Sequence, residues 1–156
     1  MITFRKLNKK DNNFINKLIS NEGVNYEEFS KIGWSINQIK NQFDKNVNMS
    51  FGLFYDNSLI SFIIGDLFII EKKSEYEILL IYVSKDFRNK GLGTKLLNNI
   101  EESINCLNKI YLEVSENNLG AISFYKKMNF KNIYTRKDYF LFDNKKIDAL
   151  VMSKNY

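Results

Sequence analysis

Glu113 and Tyr125 stand twelve residues apart, the first in the apolar run Ile110 to Val114 and the second within the helical pattern Leu119 to Lys127. A carboxylate and a phenol can take up and return a proton. This chain has particular need of them, because its 156 residues include no histidine. Without imidazole, Ser-His-Asp and Cys-His mechanisms are excluded, and any base must be a carboxylate, tyrosine, lysine, terminal amine or water. The single cysteine, Cys106, rules out an internal disulfide and a multi-cysteine metal centre, so no metal site is expected. Alone it reads as a small buried apolar residue. A second carboxylate, Glu77, also lies in a strand-like run and competes with Glu113 for the role of base.

The other chemistry-bearing segment is Arg88-Asn89-Lys90-Gly91-Leu92-Gly93, which opens a helical pattern just after a strand-like run ending at Val83. Glycines let the backbone turn tightly with its N–H groups unengaged. Those groups and the positive end of the helix dipole make an anion cradle. Arg88, Lys90 and Lys95 add charge, so a pyrophosphate is the expected guest. A dinucleotide fingerprint would place a third glycine where Leu96 stands, and a Walker loop would need two glycines five apart followed by Lys-Ser or Lys-Thr. Neither is present.

The elements that must position these groups follow from periodicity. Ile2 to Leu7 alternates like an edge strand, and Asp11 is expected to cap a helix burying Phe14, Ile15, Leu18 and Ile19. Residues Ser20 to Gly33 read as a loop or broken helix. Ser35 to Gln38 is a capping box starting a helix to about Asp44. Strands are expected at Ser50 to Tyr55, Leu59 to Ile70 and Glu75 to Val83 as an antiparallel meander. A helix from Leu92 to Ile104, the strand Ile110 to Val114, a helix from Leu119 to Lys127, and closing strands near Phe130 to Thr135 and Ile147 to Met152 complete one α+β domain over residues 1–156.

The stretch Val83 to Leu97, with Arg88-Asn89-Lys90-Gly91-Leu92-Gly93 at its centre, resembles the acetyl-CoA-binding motif of the GNAT N-acetyltransferases. Downstream, Leu112-Glu113-Val114, Asn118, Ala121, Phe124-Tyr125 and Asn129-Phe130 are similar to the second motif of one branch, the RimI-type enzymes that acetylate the N-terminal alanine of a ribosomal protein. Trp34-Ser35, Glu77-Ile78-Leu79, Arg136 to Phe140 and Asp148 to Met152 extend the similarity. Lys85 replaces the family's usual proline and Asn89 a frequent glycine.

The resemblance implies the GNAT fold, a mixed, mostly antiparallel sheet of about six to seven strands with about four helices. It implies acetyl-CoA as donor, its pyrophosphate on Arg88, Asn89, Lys90, Gly91, Leu92, Gly93 and Thr94 and its pantetheine arm along Ile81, Tyr82 and Val83. It also implies Asn118 and Tyr125 as CoA contacts. The acceptor would be a protein N-terminus, with a small-subunit ribosomal protein expected as partner. An α-amino group of pKa about 7.7 to 8.0 asks for only a modest base. Glu113 would take its proton, directly or through water, and Tyr125 would protonate the departing thiolate. Direct transfer in a ternary complex is expected, since no motif residue is an obvious acyl carrier. Tyr139 is a candidate acceptor contact and Trp34 a pocket wall.

Charge and hydropathy set the remaining bounds. Residues 1–83 hold 10 basic and 10 acidic groups and residues 84–156 hold 13 and 8, so the net +5 lies in the half containing the phosphate cradle. The longest apolar stretch, Leu59 to Ile70, is broken by Gly65 and Asp66 and falls short of the ~20 residues of a membrane span. A cytoplasmic location without membrane or direct nucleic-acid binding is expected. Two alternatives remain open: the same chemistry on a lysine or small amine, and a non-catalytic nucleotide- or RNA-binding module.

Overall fold

The computed structural model describes residues 1–21 and 34–156. Seven strands form one sheet: β1 (Ile2–Lys6), β2 (Phe51–Tyr55), β3 (Ser58–Ile70), β4 (Lys73–Val83), β5 (Leu107–Ser115), β6 (Lys131–Phe142) and β7 (Lys145–Asn155). Their spatial order is β1-β2-β3-β4-β5-β7-β6. Four helices are described: α1 (Asn12–Asn21), α2 (Ile36–Gln42), α3 (Leu92–Ser103) and α4 (Leu119–Lys127). Among the described strands only β4 and β5 run parallel, which requires a crossover, and α3 provides it. Tight hairpins join β2 to β3, β3 to β4 and β6 to β7, with positive φ at both Asp56 and Asn57, Glu71 and Lys72, and Asp143 and Asn144 respectively. Paired positive φ values are the primed-turn geometry that matches strand twist.

Each face of the sheet carries its own core. On one side Leu92, Leu96, Leu97 and Ile100 of α3 and Ile122 and Tyr125 of α4 pack on Tyr76, Ile78, Ile110 and Leu112. On the other, Ile15, Leu18 and Ile19 of α1 and Ile39 of α2 cover Phe62, Ile64, Leu80 and Tyr82. Each fully buried aliphatic side chain contributes about 1.5–3 kcal/mol, so the α3 stripe alone anchors the crossover.

Strand β4 supplies residues to both cores because its register shifts. Ile64 pairs with Leu80 and Gly65 with Ile78, leaving Leu79 as a bulge. Side chains alternate with period two, so the extra residue exchanges the faces: Tyr76 and Ile78 point to α3, Leu80 and Tyr82 to α1 and α2. Gly65 permits the close approach. A Cβ there would overlap the Tyr76 hydroxyl and lie 2.8 Å from the Glu77 carbonyl oxygen. The Tyr76 hydroxyl itself donates to the Met49 carbonyl at 2.7 Å.

Several expectations are corrected. Asp11 does not cap α1. It ends a short 3-10 turn (Lys9–Asp11) that Asn8 caps, and its carboxylate takes the Asn8 N–H at 2.9 Å and both Arg5 guanidinium nitrogens at 3.0 and 2.7 Å. The Arg5 hydrogen bond holds the Asp11 carboxyl below its usual range against the opposing effect of burial. Phe14 is exposed and packs edge-on against Phe54 at 5.5 Å. Cys106 is exposed rather than buried, at positive φ in the turn after α3. Ser20 belongs to α1, while residues 22–33 of the expected loop lie outside the described residues. Helix α2 ends at Gln42 rather than Asp44, and the last two strands run on into their shared hairpin, β6 to Phe142 and β7 from Lys145, with β7 also continuing to Asn155. The capping box at Ser35 and Gln38 forms as expected.

Candidate active site

The β4–β5 ladder runs from Ser74↔Leu107 to Ile78↔Leu112 and then ends. Each strand continues beside its other neighbour, β4 to Val83↔Ser61 and β5 to Ser115↔Ala149. The strands therefore fork, and a cleft of about 490 Å3 opens between Leu79–Ile81 on one side and Glu113–Ser115 on the other. Ala121 and Tyr125 of α4 line it from one core, and Phe140 to Phe142, Ile147 and Trp34 from the outer side.

Beyond the fork, β4 leads into the glycine turn. A 3-10 turn (Lys85–Phe87) is followed by Asn89 at φ 59° and Gly91 at φ 75°. Gly91 is the N-cap of α3 and has no side chain to satisfy the first-turn N–H groups. Those donors and the helix dipole are what an anionic group needs. Arg88 Nε donates to the Val83 carbonyl at 3.0 Å and Lys90 Nζ to the Asp86 carbonyl at 2.8 Å, so both cations brace the turn. A Cβ at Gly93 would stand 3.2 Å from the Phe124 ring, so this glycine sets how closely α3 approaches α4.

Tyr125 is 4% exposed, its ring 5.2 Å from Phe124 and 5.4 Å from Phe130. Burial pushes its hydroxyl far above the ordinary phenol range, so it stays protonated at neutral pH. Glu113 lies one residue past the last β4–β5 pair, on the cleft wall, and its carboxylate is ion-paired with Arg136 at 2.5 Å. The Arg136 guanidinium also sits 4.0 Å from the Tyr139 ring centroid, and the Glu113 carboxylate raises the Tyr139 hydroxyl by hydrogen bonding.

Glu77 is directly opposite Asp66 on β3 and Tyr111 on β5. The Tyr111 hydroxyl lies 3.5 Å from the Glu77 carboxylate. Burial, then the charges of Asp66 and Glu113, hold the Glu77 carboxyl above its usual range. Burial and then Glu77 push the Tyr111 hydroxyl up to about 12. Asp66 is itself raised by burial, and Gln42 of α2 donates to it at 2.5 Å.

The sequence profile of the Acetyltransferase (GNAT) family matches residues 16–130, which contain the fork, the glycine turn and Tyr125. The chain belongs to the GNAT acetyltransferase family. GNAT enzymes are acetyl-CoA-dependent N-acetyltransferases, and the seven-stranded sheet with the four described helices is their fold. Among relatives, N-alpha-acetyltransferase 50 of Danio rerio is 44% identical over 57 residues, covering 35% of this chain and 34% of that protein. An N-alpha-acetyltransferase of Sulfolobus acidocaldarius is 40% identical over 67 residues, covering 40% and 39%. The match thus spans little more than a third of these curated relatives. Whole-chain likeness appears among solved structures. NAA60 of Arabidopsis thaliana, in complex with a bisubstrate analogue, has a TM-score of 0.79 at 18% identity, covering 99% of this chain and 98% of that one. The ribosomal-protein-S18-alanine N-acetyltransferase of Escherichia coli has a TM-score of 0.77 at 20% identity, covering 99% and 94%.

The GNAT donor fits the residues present: an apolar strand-edge cleft leads along β4 to a helix start with no side-chain cap. Of the residues expected in the site, Ile81, Glu113, Asn118, Tyr125 and Trp34 line the cleft. Asn118 also caps α4, accepting the Ala121 N–H at 3.2 Å. Tyr82 turns to the opposite core against Phe62 at 5.7 Å, and Val83 accepts the Arg88 hydrogen bond. Leu92 is buried under the turn, and Thr94 is exposed at its rim. Glu77 and Tyr139 reach Glu113 electrostatically without lining the cleft.

Sequence reasoning assigned no role to Arg136, Tyr111 or Asp66. Tyr111 carried a signal, since it is two residues before Glu113 and alternation puts both on one face. Asp66 carried one as a charge interrupting an apolar run. Arg136 is 23 residues from Glu113, and only the pairing of β5, β7 and β6 brings them together. Among the described residues no cluster of His, Cys, Asp and Glu could hold a metal, and no helix is long and apolar enough to cross a membrane.

Proposed function

We propose that this GNAT chain transfers the acetyl group of acetyl-CoA to a protein N-terminal α-amino group in a ternary complex in the cytoplasm. The acceptor we favour is the N-terminal alanine of a small-subunit ribosomal protein. The observation that carries the reading is the fork itself, with a buried, protonated Tyr125 on its floor and the carboxylate of Glu113 on its wall. The N-alpha-acetyltransferases among its relatives and the Escherichia coli alanine acetyltransferase among its structural neighbours support that choice.

Acetyl-CoA supplies an activated acyl carbon and a thiolate leaving group. Glu113 faces the cleft and takes the proton of the attacking amine, directly or through water. Arg136 orients that carboxylate through their ion pair. Tyr125 returns a proton to the sulfur from its hydroxyl. Glu77 is the competing base, since its raised carboxyl retains a proton more readily. The main-chain N–H groups from Gly91 to Thr94 hold the pyrophosphate.

A small polyamine as acceptor is favoured by one feature, the opposed carboxylates Asp66 and Glu77 beside Glu113. A relative named probable spermine N(1)-acetyltransferase, from Bacillus subtilis subsp. natto, is 32% identical over 88 residues and supports keeping that reading. Incubation with acetyl-CoA and three acceptors separates the readings: a peptide with free N-terminal alanine, the same peptide blocked but carrying an internal lysine, and spermine. Mass shift of the first is the expected result. Acetylation confined to lysine or spermine overturns the N-terminal assignment.

A further inference from the structure

The β6–β7 ladder pairs Arg136 with Ala149 and resumes at Phe140 with Ile147. Lys137, Asp138 and Tyr139 thus stand across from a single β7 residue, Asp148. This bulge is in the outermost strand of the sheet, with β7 as its one strand neighbour. It also holds Asp138 at φ 53°, a conformation unfavourable for a residue with a Cβ. The Asp148 side chain supports this conformation. Its Oδ1 accepts the Asp138 N–H at 2.9 Å and its Oδ2 the Lys137 ammonium at 2.7 Å.

The main chain of Asp148 is tied to the end of β5. Its carbonyl accepts the Glu116 N–H at 3.0 Å, and its own N–H donates to Glu116 Oε1 at 3.4 Å. Glu116 is followed by Asn117 and Asn118, both on the cleft wall. The residues flanking the bulge are Arg136, paired with Glu113, and Tyr139, stacked under the Arg136 guanidinium.

We propose that Asp148 is a positioning residue for acceptor recognition: it fixes the β6 bulge so that Arg136 and Tyr139 are held against Glu113 on the acceptor side of the cleft. This rests on the acetyl-transfer reading of the cleft. The hydrogen bond to the Asp138 N–H carries the effect, and the exposed Lys137 pair is secondary. Asn at position 148 keeps an acceptor for that N–H, and Ala does not.

The test is steady-state kinetics of D148A, D148N and K137M with the alanine peptide and acetyl-CoA, together with hydrogen exchange of the Asp138 amide. D148A is expected to raise the acceptor KM about tenfold, the equivalent of ~1.4 kcal/mol, as for loss of one charge-assisted hydrogen bond near the surface. Its KM for acetyl-CoA stays within about twofold, which also reports a folded donor site, and Asp138 exchanges faster. D148N recovers most of the acceptor KM, and K137M stays near wild type. Unchanged acceptor KM in D148A, or an equal loss on both substrates, overturns the proposal, as does unaltered exchange of Asp138. If the wild-type chain acetylates no amine, the functional reading itself falls, a result distinct from an active enzyme indifferent to Asp148.

Discussion

Tyr125→Phe isolates one atom of the proposed machinery. The ring packs between Phe124 and Phe130, contacts that phenylalanine keeps, and among the described residues burial is the one influence acting on the hydroxyl. Removing it leaves no orphaned donor or acceptor behind, so the stability change should stay within ~0.5 kcal/mol. Its catalytic contribution is another matter. A positioned general acid is worth about 10²–10⁴ in rate, or ~3–5 kcal/mol of barrier, at ~1.36 kcal/mol per factor of ten. The variant should therefore lose at least about a hundredfold in kcat while its melting temperature and affinity for acetyl-CoA hold. Thiol release from acetyl-CoA measures the rate, calorimetric titration the affinity and a thermal melt the stability. A kcat within about threefold of wild type would refute the acid role, and a collapsed melting temperature would make the hydroxyl a structural group.

Three further changes probe the carboxylates and the bulge beside them. Glu113→Gln should reduce kcat by about a hundredfold or more in the same assay; a larger loss in Glu77→Gln would move the base to Glu77. For stability, the sign at Glu77 follows from its folded carboxyl being raised: ionisation is disfavoured in the native state, so wild-type stability falls as pH rises through that elevated value. Glu77→Gln should accordingly raise the melting temperature at pH 7, with the gain vanishing below the ordinary glutamate range; a gain independent of pH would count against it. Gly65→Ala forces the Tyr76 ring off its site, an overpacking cost of about 1–3 kcal/mol, or roughly 3–10 °C in a domain of this size. An unshifted melt would show that the bulge relaxes freely.

Much of the cleft and of the glycine turn was legible because the signals are local. The glycine turn, the α3 stripe and the Glu113 to Tyr125 spacing each lie within one strand-turn-helix unit, where period and residue type suffice. Even there, local pattern misled at two places. Asp11 has the composition of a cap yet is drawn into a part-buried pair by the exposed Arg5, and Cys106 is apolar in type yet sits at a turn needing positive φ. The Leu79 bulge left no mark in the sequence, because Ile78 to Val83 is an unbroken apolar run in which residue type does not separate the buried even-numbered positions from the half-buried odd-numbered ones.

The acceptor side is where sequence stops. Glu113, Arg136 and Asp148 come from three strands and assemble through the order β5-β7-β6, in which the last strand in sequence lies inside the one before it. The sequence by itself determined which groups are available for proton transfer and phosphate binding, since the absence of histidine and the Gly91-Leu92-Gly93 turn are facts of composition and short spacing. The tertiary structure alone decided which carboxylate faces the cleft, which is paired and which is pushed toward its protonated form. Charge interactions depend on distance and burial, and both are set by how strands far apart in the chain are laid side by side.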